Sequence, residues 1–224
     1  MADAEGRGGF DEIWCLGDVV GYGPDVSECI DFVRSSIDVC VAGNHDLAAA
    51  GVTDTSLFNT LAARAIAWTR SQLSETGRFY LANLPLRAEK SSFTLVHGSP
   101  RDPVWEYILS ADSADASFSA FRTSSCLVGH SHVPLAYSSG RVHAKQMDPR
   151  AGVPLELGKG RHILNPGAVG QPRDGDPRAS YAVVDTEKRQ FTLRRVAYDV
   201  AAVQQRMRAQ GLPPFLIDRL AMGT

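Results

Sequence analysis

Apolar positions along the first half of the chain alternate between short runs and stretches of helical spacing. Glu12–Leu16 is a brief apolar run closed by Gly17-Asp18, and Asp38–Ala42 is another closed by Gly43-Asn44. Runs this short, bounded by turn residues, predict buried strands. Between them, Asp25–Ser35 carries Val26, Cys29, Ile30 and Val33 at helical spacing, with Pro24 as a start signal. Thr55–Leu73 predicts a longer amphipathic helix, with Leu57, Leu61, Ala65, Trp68 and Leu73 near one face. Phe93–Val96 and Cys126–Val128 predict further strands, separated by a helical stretch around Asp112–Phe121.

After residue 128 the pattern changes. Leu135–Ser138, Arg141–Gln146, Arg161–Leu164, Ala179–Asp185 and Gln190–Ala197 are closely spaced β-like segments, and Asp199–Gln210 and Pro213–Ala221 return to helical spacing. Alternating strands and helices favour a parallel sheet, while successive strands favour hairpins. No repeat or long linker divides the halves. The expectation is one α/β domain, residues 1–224, with two packed sheets and helices outside.

Composition narrows the function classes. Of 224 residues, 44% are hydrophobic and 21% charged, which is globular and long enough to bury a core. A net charge of −2 argues against a dedicated nucleic-acid surface, and the Lys188, Arg189, Arg194, Arg195 cluster reads as a hairpin tip and exposed strand face. No apolar run approaches the roughly 18 residues of a membrane span, and Met1–Gly9 has no apolar core of a signal peptide. Cys15, Cys29, Cys40 and Cys126 form no Cys-x-x-Cys pair, so buried free thiols and a cytoplasmic location are expected.

Chemistry gathers where the apolar runs stop. The strand ends read Gly17-Asp18-Val19-Val20-Gly21, Gly43-Asn44-His45-Asp46, His97-Gly98-Ser99-Pro100 and Gly129-His130-Ser131-His132. Loops after strands converge over a rigid sheet edge. A carboxylate, an amide oxygen and several imidazoles there make a mixed oxygen–nitrogen donor set, suited to Mn, Fe, Zn, Co or Ni rather than Ca. Each residue alone is more often a turn residue; the ordered set points to a metal centre. His143, in a polar segment, and His162, inside a strand, are expected to be structural.

These motifs, with Gly17–Pro24, His97–Tyr107 and Asn165–Arg173 around them, resemble the calcineurin-like metallophosphoesterase superfamily over almost the whole chain. The resemblance is to its small bacterial and archaeal branch, labelled as phosphodiesterases or diadenosine-tetraphosphatase-like proteins. It implies a four-layer α/β/β/α sandwich. It also implies two divalent metal ions, Mn²⁺ foremost, with hydrolysis of phosphomono- or phosphodiesters by attack of metal-bound hydroxide. Asp18 would bridge the metals. Asn44, His97 and His130 would complete the second metal, and His132 would belong to the first. His45 would face the scissile phosphate, and Asp46 would orient His45. The substrate would be a small phosphate ester or nucleotide.

Arg173 would clamp a phosphate in one reading; in the other it and Arg178 belong to a solvated turn with Asp–Arg pairing. Trp105 and Tyr107 either line the cleft mouth or pack in the core. The family's Asp-x-His motif has no counterpart upstream of Asp18. On the resemblance, a first strand and helix would precede Ala2–Glu5, so the domain is read as N-terminally truncated, with an incomplete first-metal site. The alternative is a catalytically degenerate homologue that binds metal or nucleotide without turnover.

Overall fold

In the computed structural model, which describes residues 1–224, the chain opens with helix α1 (Ala2–Gly6) and strand β1 (Trp14–Cys15). Helix α2 (Val26–Ser36) buries Val26, Ile30 and Val33. Cys29 lies beside that stripe and is exposed, and only Cys126 of the four free cysteines is fully buried. Four buried thiols were expected, and the edge of the α2 stripe accounts for the exposed one.

Strand β2 (Val39–Cys40) leads directly into helix α3 (Asn44–Ala50), which ends at left-handed Gly51. Helix α4 (Thr60–Gln72) starts five residues later than its spacing suggests, because the Asn59 side chain caps it by accepting the Ala62 N–H at 2.9 Å. Leu57 is consequently outside the helix and 70% exposed. Helix α5 (Glu75–Ala82) is capped by Ser74, whose hydroxyl accepts the Gly77 N–H at 3.0 Å.

Strands β3 (Arg87–Lys90) and β4 (Phe93–Val96) form a hairpin, followed by α6 (Ala111–Ser117) and β5 (Ser125–Leu127). Then come β6 (Pro134–Ser138), β7 (Lys145–Met147), β8 (Pro154–Glu156), β9 (His162–Pro166), β10 (Ala179–Asp185) and β11 (Gln190–Val196). Helices α7 (Val200–Ala209) and α8 (Pro214–Met222) close the chain.

Hydrogen bonding divides the strands into three sheets, rather than the two expected: β1-β2, β10-β11-β8, and β3-β4-β5-β9-β6-β7. The parallel β1–β2 pair shares no ladder with β10. In the six-stranded sheet β4, β5 and β9 run parallel, while β3, β6 and β7 are antiparallel to their neighbours. Its central strands are buried on both faces, which explains their unbroken apolar runs. Val96, Cys126, Val128 and Ile163 pack toward Phe118 and Phe121 beside α6. Phe93, Leu95, Leu127 and Leu164 pack toward Val41 and Phe191, with Trp14, Leu16 and Leu155 against them. Both smaller sheets therefore cover one face of the large one. Cutting Leu95 or Ile163 to Ala in such a layer costs about 2–5 kcal/mol. No helix is long and apolar enough to cross a membrane.

The basic cluster is divided. Lys188 and Arg189 lie at the β10–β11 turn, as the sequence suggests, but the Arg195 side chain is only 5% exposed and is paired with Asp174.

Candidate metal centre

Parallel strands deliver the motifs to one end of the fold. The loops after β1, β2, β4 and β5 carry Asp18, Asn44, His97 and His130 in turn. Gly129 N–H donates to the His97 carbonyl at 2.8 Å, joining the loops after β5 and β4, and His97 Nδ1 meets the Leu16 carbonyl at 2.7 Å, which ties the large sheet to the end of β1. Asp18, His130 and His132 hold left-handed backbone conformations, with φ of 55°, 59° and 60°. Such conformations disfavour side-chain-bearing residues and recur where a fold aims groups at a ligand.

Buried Asn165 holds the His130 turn: its amide donates to the Gly129 carbonyl at 2.6 Å and the Ser131 hydroxyl at 3.0 Å, while its oxygen accepts the Gly167 N–H at 2.8 Å. The loop after His97 folds back on itself through Ser99, whose hydroxyl accepts the N–H of Arg101 and of Asp102. This brings the Trp105 carbonyl to His130 Nε2 at 3.1 Å and stacks Tyr107 on the His130 ring, centroids 3.9 Å apart. Tyr107 is thus a site residue, 46% exposed, rather than core.

Backbone carbonyls set the tautomer of three imidazoles. Leu16 takes Nδ1–H of His97, Trp105 takes Nε2–H of His130, and Gln171 takes Nδ1–H of His132 at 2.7 Å. The second nitrogen of each ring is left with its lone pair. His97 Nε2 lies 3.1 Å from Asn44 Oδ1, 3.1 Å from His130 Nδ1 and 3.4 Å from Asp18 Oδ2. Ligand atoms of Asp18, His97 and His130 all fall within 4.8 Å of one another. Four acceptors facing one another in a buried place repel unless positive charge lies among them. This donor set fits a divalent cation, with the carbonyls in the orienting role that supports metal-ligating histidines.

Electrostatics agree. Burial alone would raise the Asp18 carboxyl, but His97 and His45 outweigh it and hold Asp18 well below the usual range. Burial, and next His97, push His130 down to about 4. Burial, then Arg173, push His132 down to about 3. Burial opposes a charged His97, yet Asp18 and the Leu16 carbonyl hold its pKa above the ordinary value. The site is therefore a carboxylate among imidazoles, of which His130 and His132 are neutral at pH 7. His132 lies outside the three-residue cluster that Asp18, His97 and His130 form.

His45 lies beside this cluster. Asp18 Oδ1 accepts its backbone N–H at 3.0 Å, Tyr22 and Phe58 flank its ring at 4.4 and 5.0 Å, and its buried Nδ1 has no hydrogen-bond partner. Burial takes its pKa down to about 4. A β-carbon on Gly21 would sit 2.4 Å from that nitrogen, so the glycine makes room for the ring. Asp46 does not hydrogen-bond His45, contrary to expectation. As the third residue of α3 it accepts the Gly43 N–H at 2.9 Å and the Val20 N–H at 3.2 Å, a capping role that fixes the loops bearing Asp18 and Asn44. Burial, then the Asp18 charge, raise its pKa to about 7.

The two arginines of the 173–178 loop separate. Arg178 pairs with Asp176 at 2.6 Å, a turn pair. Arg173 has no carboxylate partner: it donates to Gln171 Oε1 at 2.8 and 3.2 Å and lies over the Tyr22 ring, 5.6 Å from its centroid. Gln171 thus links His132, through its carbonyl, to Arg173, through its side chain. Sequence reasoning missed Gln171 and Asn165, because neither residue type signals such a role. His143 is exposed and His162 is buried in β9, so both stay outside the site.

Oxygen and nitrogen donors collected at strand C-termini above stacked sheets define a candidate metal centre. The chain belongs to the calcineurin-like phosphoesterases: the family model described as "Calcineurin-like phosphoesterase superfamily domain" matches residues 2–189. As a member it is a metal-dependent hydrolase acting on phosphoester bonds. A protein of Methanocaldococcus jannaschii described as uncharacterized is 33% identical over 228 residues, covering 100% of this chain and 90% of that protein. A Nitrosococcus oceani protein named bis(5'-nucleosyl)-tetraphosphatase, symmetrical, is 38% identical over 112 residues, covering 46% of this chain and 38% of its own length. The crystal structure of a metallophosphoesterase from Sphaerobacter thermophilus superposes with a TM-score of 0.90 at 46% identity, covering 100% of this chain and 92% of that one. A hypothetical protein from Pyrococcus horikoshii superposes at 0.79 with 21% identity, covering 100% and 90%, and speaks to the fold alone.

Proposed function

We propose that this chain hydrolyses a phosphodiester of nucleotide type, with water as nucleophile and divalent cations held by Asp18, Asn44, His97, His130 and His132. The observation that carries this reading is the convergence of Asp18 Oδ2, Asn44 Oδ1 and His130 Nδ1 on His97 Nε2. A bound divalent cation supplies charge that polarises a phosphoryl oxygen and lowers the pKa of water.

The chain's own groups do the rest. Asp18 stays ionised and supplies the negative charge of the site. The three carbonyl-oriented imidazoles are held in place, so none has to rotate to present its second nitrogen. His45, neutral at pH 7 and fixed between Tyr22 and Phe58, offers a hydrogen bond to a phosphoryl or leaving oxygen. Arg173, which no carboxylate neutralises, attracts the anionic substrate. The nucleotide class is supported by the tetraphosphatase relatives, which match about half of this chain.

The test is turnover of bis-p-nitrophenyl phosphate and of a dinucleoside polyphosphate with Mn²⁺ and with other divalent metals. His45→Ala should lose about 100-fold in kcat while binding metal as before. No turnover with any metal would overturn the reading. His132 standing apart from the cluster favours a second reading, a metal- or nucleotide-binding module without turnover. Tight metal binding with no hydrolysis would select it.

A further inference from the structure

The segment from Gln171 to Arg173 is tied to the metal centre twice. The Gln171 carbonyl accepts Nδ1–H of His132 at 2.7 Å, and in return Arg173 N–H donates to the His132 carbonyl at 3.1 Å. This reciprocal pair holds the segment against the turn that carries His132. The Arg173 guanidinium lies over the Tyr22 ring, 5.6 Å from its centroid, and Tyr22 packs on the His45 ring at 4.4 Å. The segment therefore reaches from His132 toward His45.

The Gln171 side chain has one end occupied and one end free. Only its oxygen can face the guanidinium, because arginine carries donors and no acceptor. Oε1 accepts Arg173 Nε–H at 3.2 Å and Nη2–H at 2.8 Å. That fixes the orientation of the amide and leaves Nε2, a double donor, buried without a hydrogen-bond partner in a residue only 4% exposed. An unpaired buried donor is costly, so one retained beside a reactive centre marks a place for an acceptor. The guanidinium next to it is also uncompensated. Asp174 and Asp176, which follow in the loop, are taken by Arg195 and Arg178, and no carboxylate pairs with Arg173. A positive charge and a neutral donor side by side, both without an anionic partner, suit an oxyanion.

We propose that Gln171 and Arg173 form one oxyanion-binding unit, in which Gln171 Nε2–H and the guanidinium donate to a phosphate group held at the metal centre while Gln171 Oε1 keeps the guanidinium in place. The ligand class is inorganic phosphate or a phosphate ester. The assignment rests on the phosphoesterase reading for where the phosphate sits. Gln171 is then a binding residue through Nε2 and a positioning residue through Oε1.

The test is calorimetric titration of inorganic phosphate into the Mn²⁺-loaded full chain, free of excess metal, with Mn²⁺ affinity and urea unfolding measured on the same variants. The wild type should bind phosphate. Gln171→Met keeps the backbone carbonyl that holds His132 and most of the side-chain volume, but removes both polar atoms. It should weaken phosphate about tenfold or more. Gln171→Glu separates the proposal from a structural role. A carboxylate holds Arg173 at least as firmly, but it lacks the amide donor and puts negative charge where the anion would lie. It should weaken phosphate as much as the methionine variant or more, without loss of Mn²⁺ affinity. A side chain that served only to support Arg173 would tolerate the carboxylate. Gln171→Glu binding phosphate like the wild type would overturn the assignment, as would a wild-type chain that binds no phosphate. Phosphate binding that Gln171→Glu abolishes, in a chain that hydrolyses no bis-p-nitrophenyl phosphate, would support the unit while overturning the hydrolytic reading.

Discussion

A β-carbon on Gly43 would lie 2.0 Å from Oδ1 of Asp18 and 2.3 Å from the Asp18 backbone nitrogen. The loops that follow β1 and β2 therefore touch through backbone, and this contact sets where Asp18 stands relative to Asn44. Gly43→Ala must push these loops apart. It is expected to cost about 2–3 kcal/mol of stability and about tenfold or more in Mn²⁺ affinity. Chemical denaturation and metal titration of the same variant check both values. Wild-type metal affinity in that variant would show that the contact does not position the site.

Asn165 supports His130 without touching any candidate ligand atom. Its amide is buried and spans three loop groups, so Asn165→Ala leaves the Gly129 carbonyl and the Gly167 N–H without that partner. About 1–3 kcal/mol of destabilisation is expected, together with weaker metal binding, because the left-handed turn at His130 loses its clamp. Asn165→Asp keeps the acceptor but removes the donor, and should bind metal no better than the alanine variant.

Asp176 gives a pH dependence of its own. Hydrogen bonds from Arg178 pull its carboxyl down to about 2 from an ordinary value of 3.8. A lowered folded-state pKa means that the fold favours the charged form. The stabilisation is full above the unfolded value and is lost as pH falls to about 2. Partial exposure limits it to about 0.5–1 kcal/mol. Asp176→Asn should therefore be less stable than the wild type at pH 7, and the difference should shrink to nothing between pH 4 and 2. Urea unfolding at several pH values reads this directly, and a constant difference across that range would contradict it.

What could be read in advance follows from where side chains point. Phe93–Val96 was legible as a strand because both sheet faces bury it, and the motif residues were legible because they stand at the ends of such runs. Strand β3 was not, since Arg87-Ala88-Glu89-Lys90 is a charged edge strand whose pattern resembles a loop. Helix α3 was hidden by its own chemistry: Asn44, His45 and Asp46 form its first turn, and only Leu47–Ala50 remains to show a helical pattern. The family resemblance implies that Asp46 orients His45. Its position as third residue of a helix directs the carboxylate back to the Gly43 N–H instead. Gln171 acts on His132 through a backbone carbonyl, which no side-chain pattern reports.

The most direct test of the metal centre is a titration of the metal-stripped chain with Mn²⁺, following bound Mn²⁺ by electron paramagnetic resonance and hydrolysis of bis-p-nitrophenyl phosphate in the same samples. Bound metal and rate are expected to rise together, with ¹⁴N couplings from imidazole. His97→Ala should lose both, because His97 Nε2 is the atom on which Asn44, Asp18 and His130 converge. Hydrolysis without metal, or Mn²⁺ bound as tightly by His97→Ala as by the wild type, would contradict the assignment.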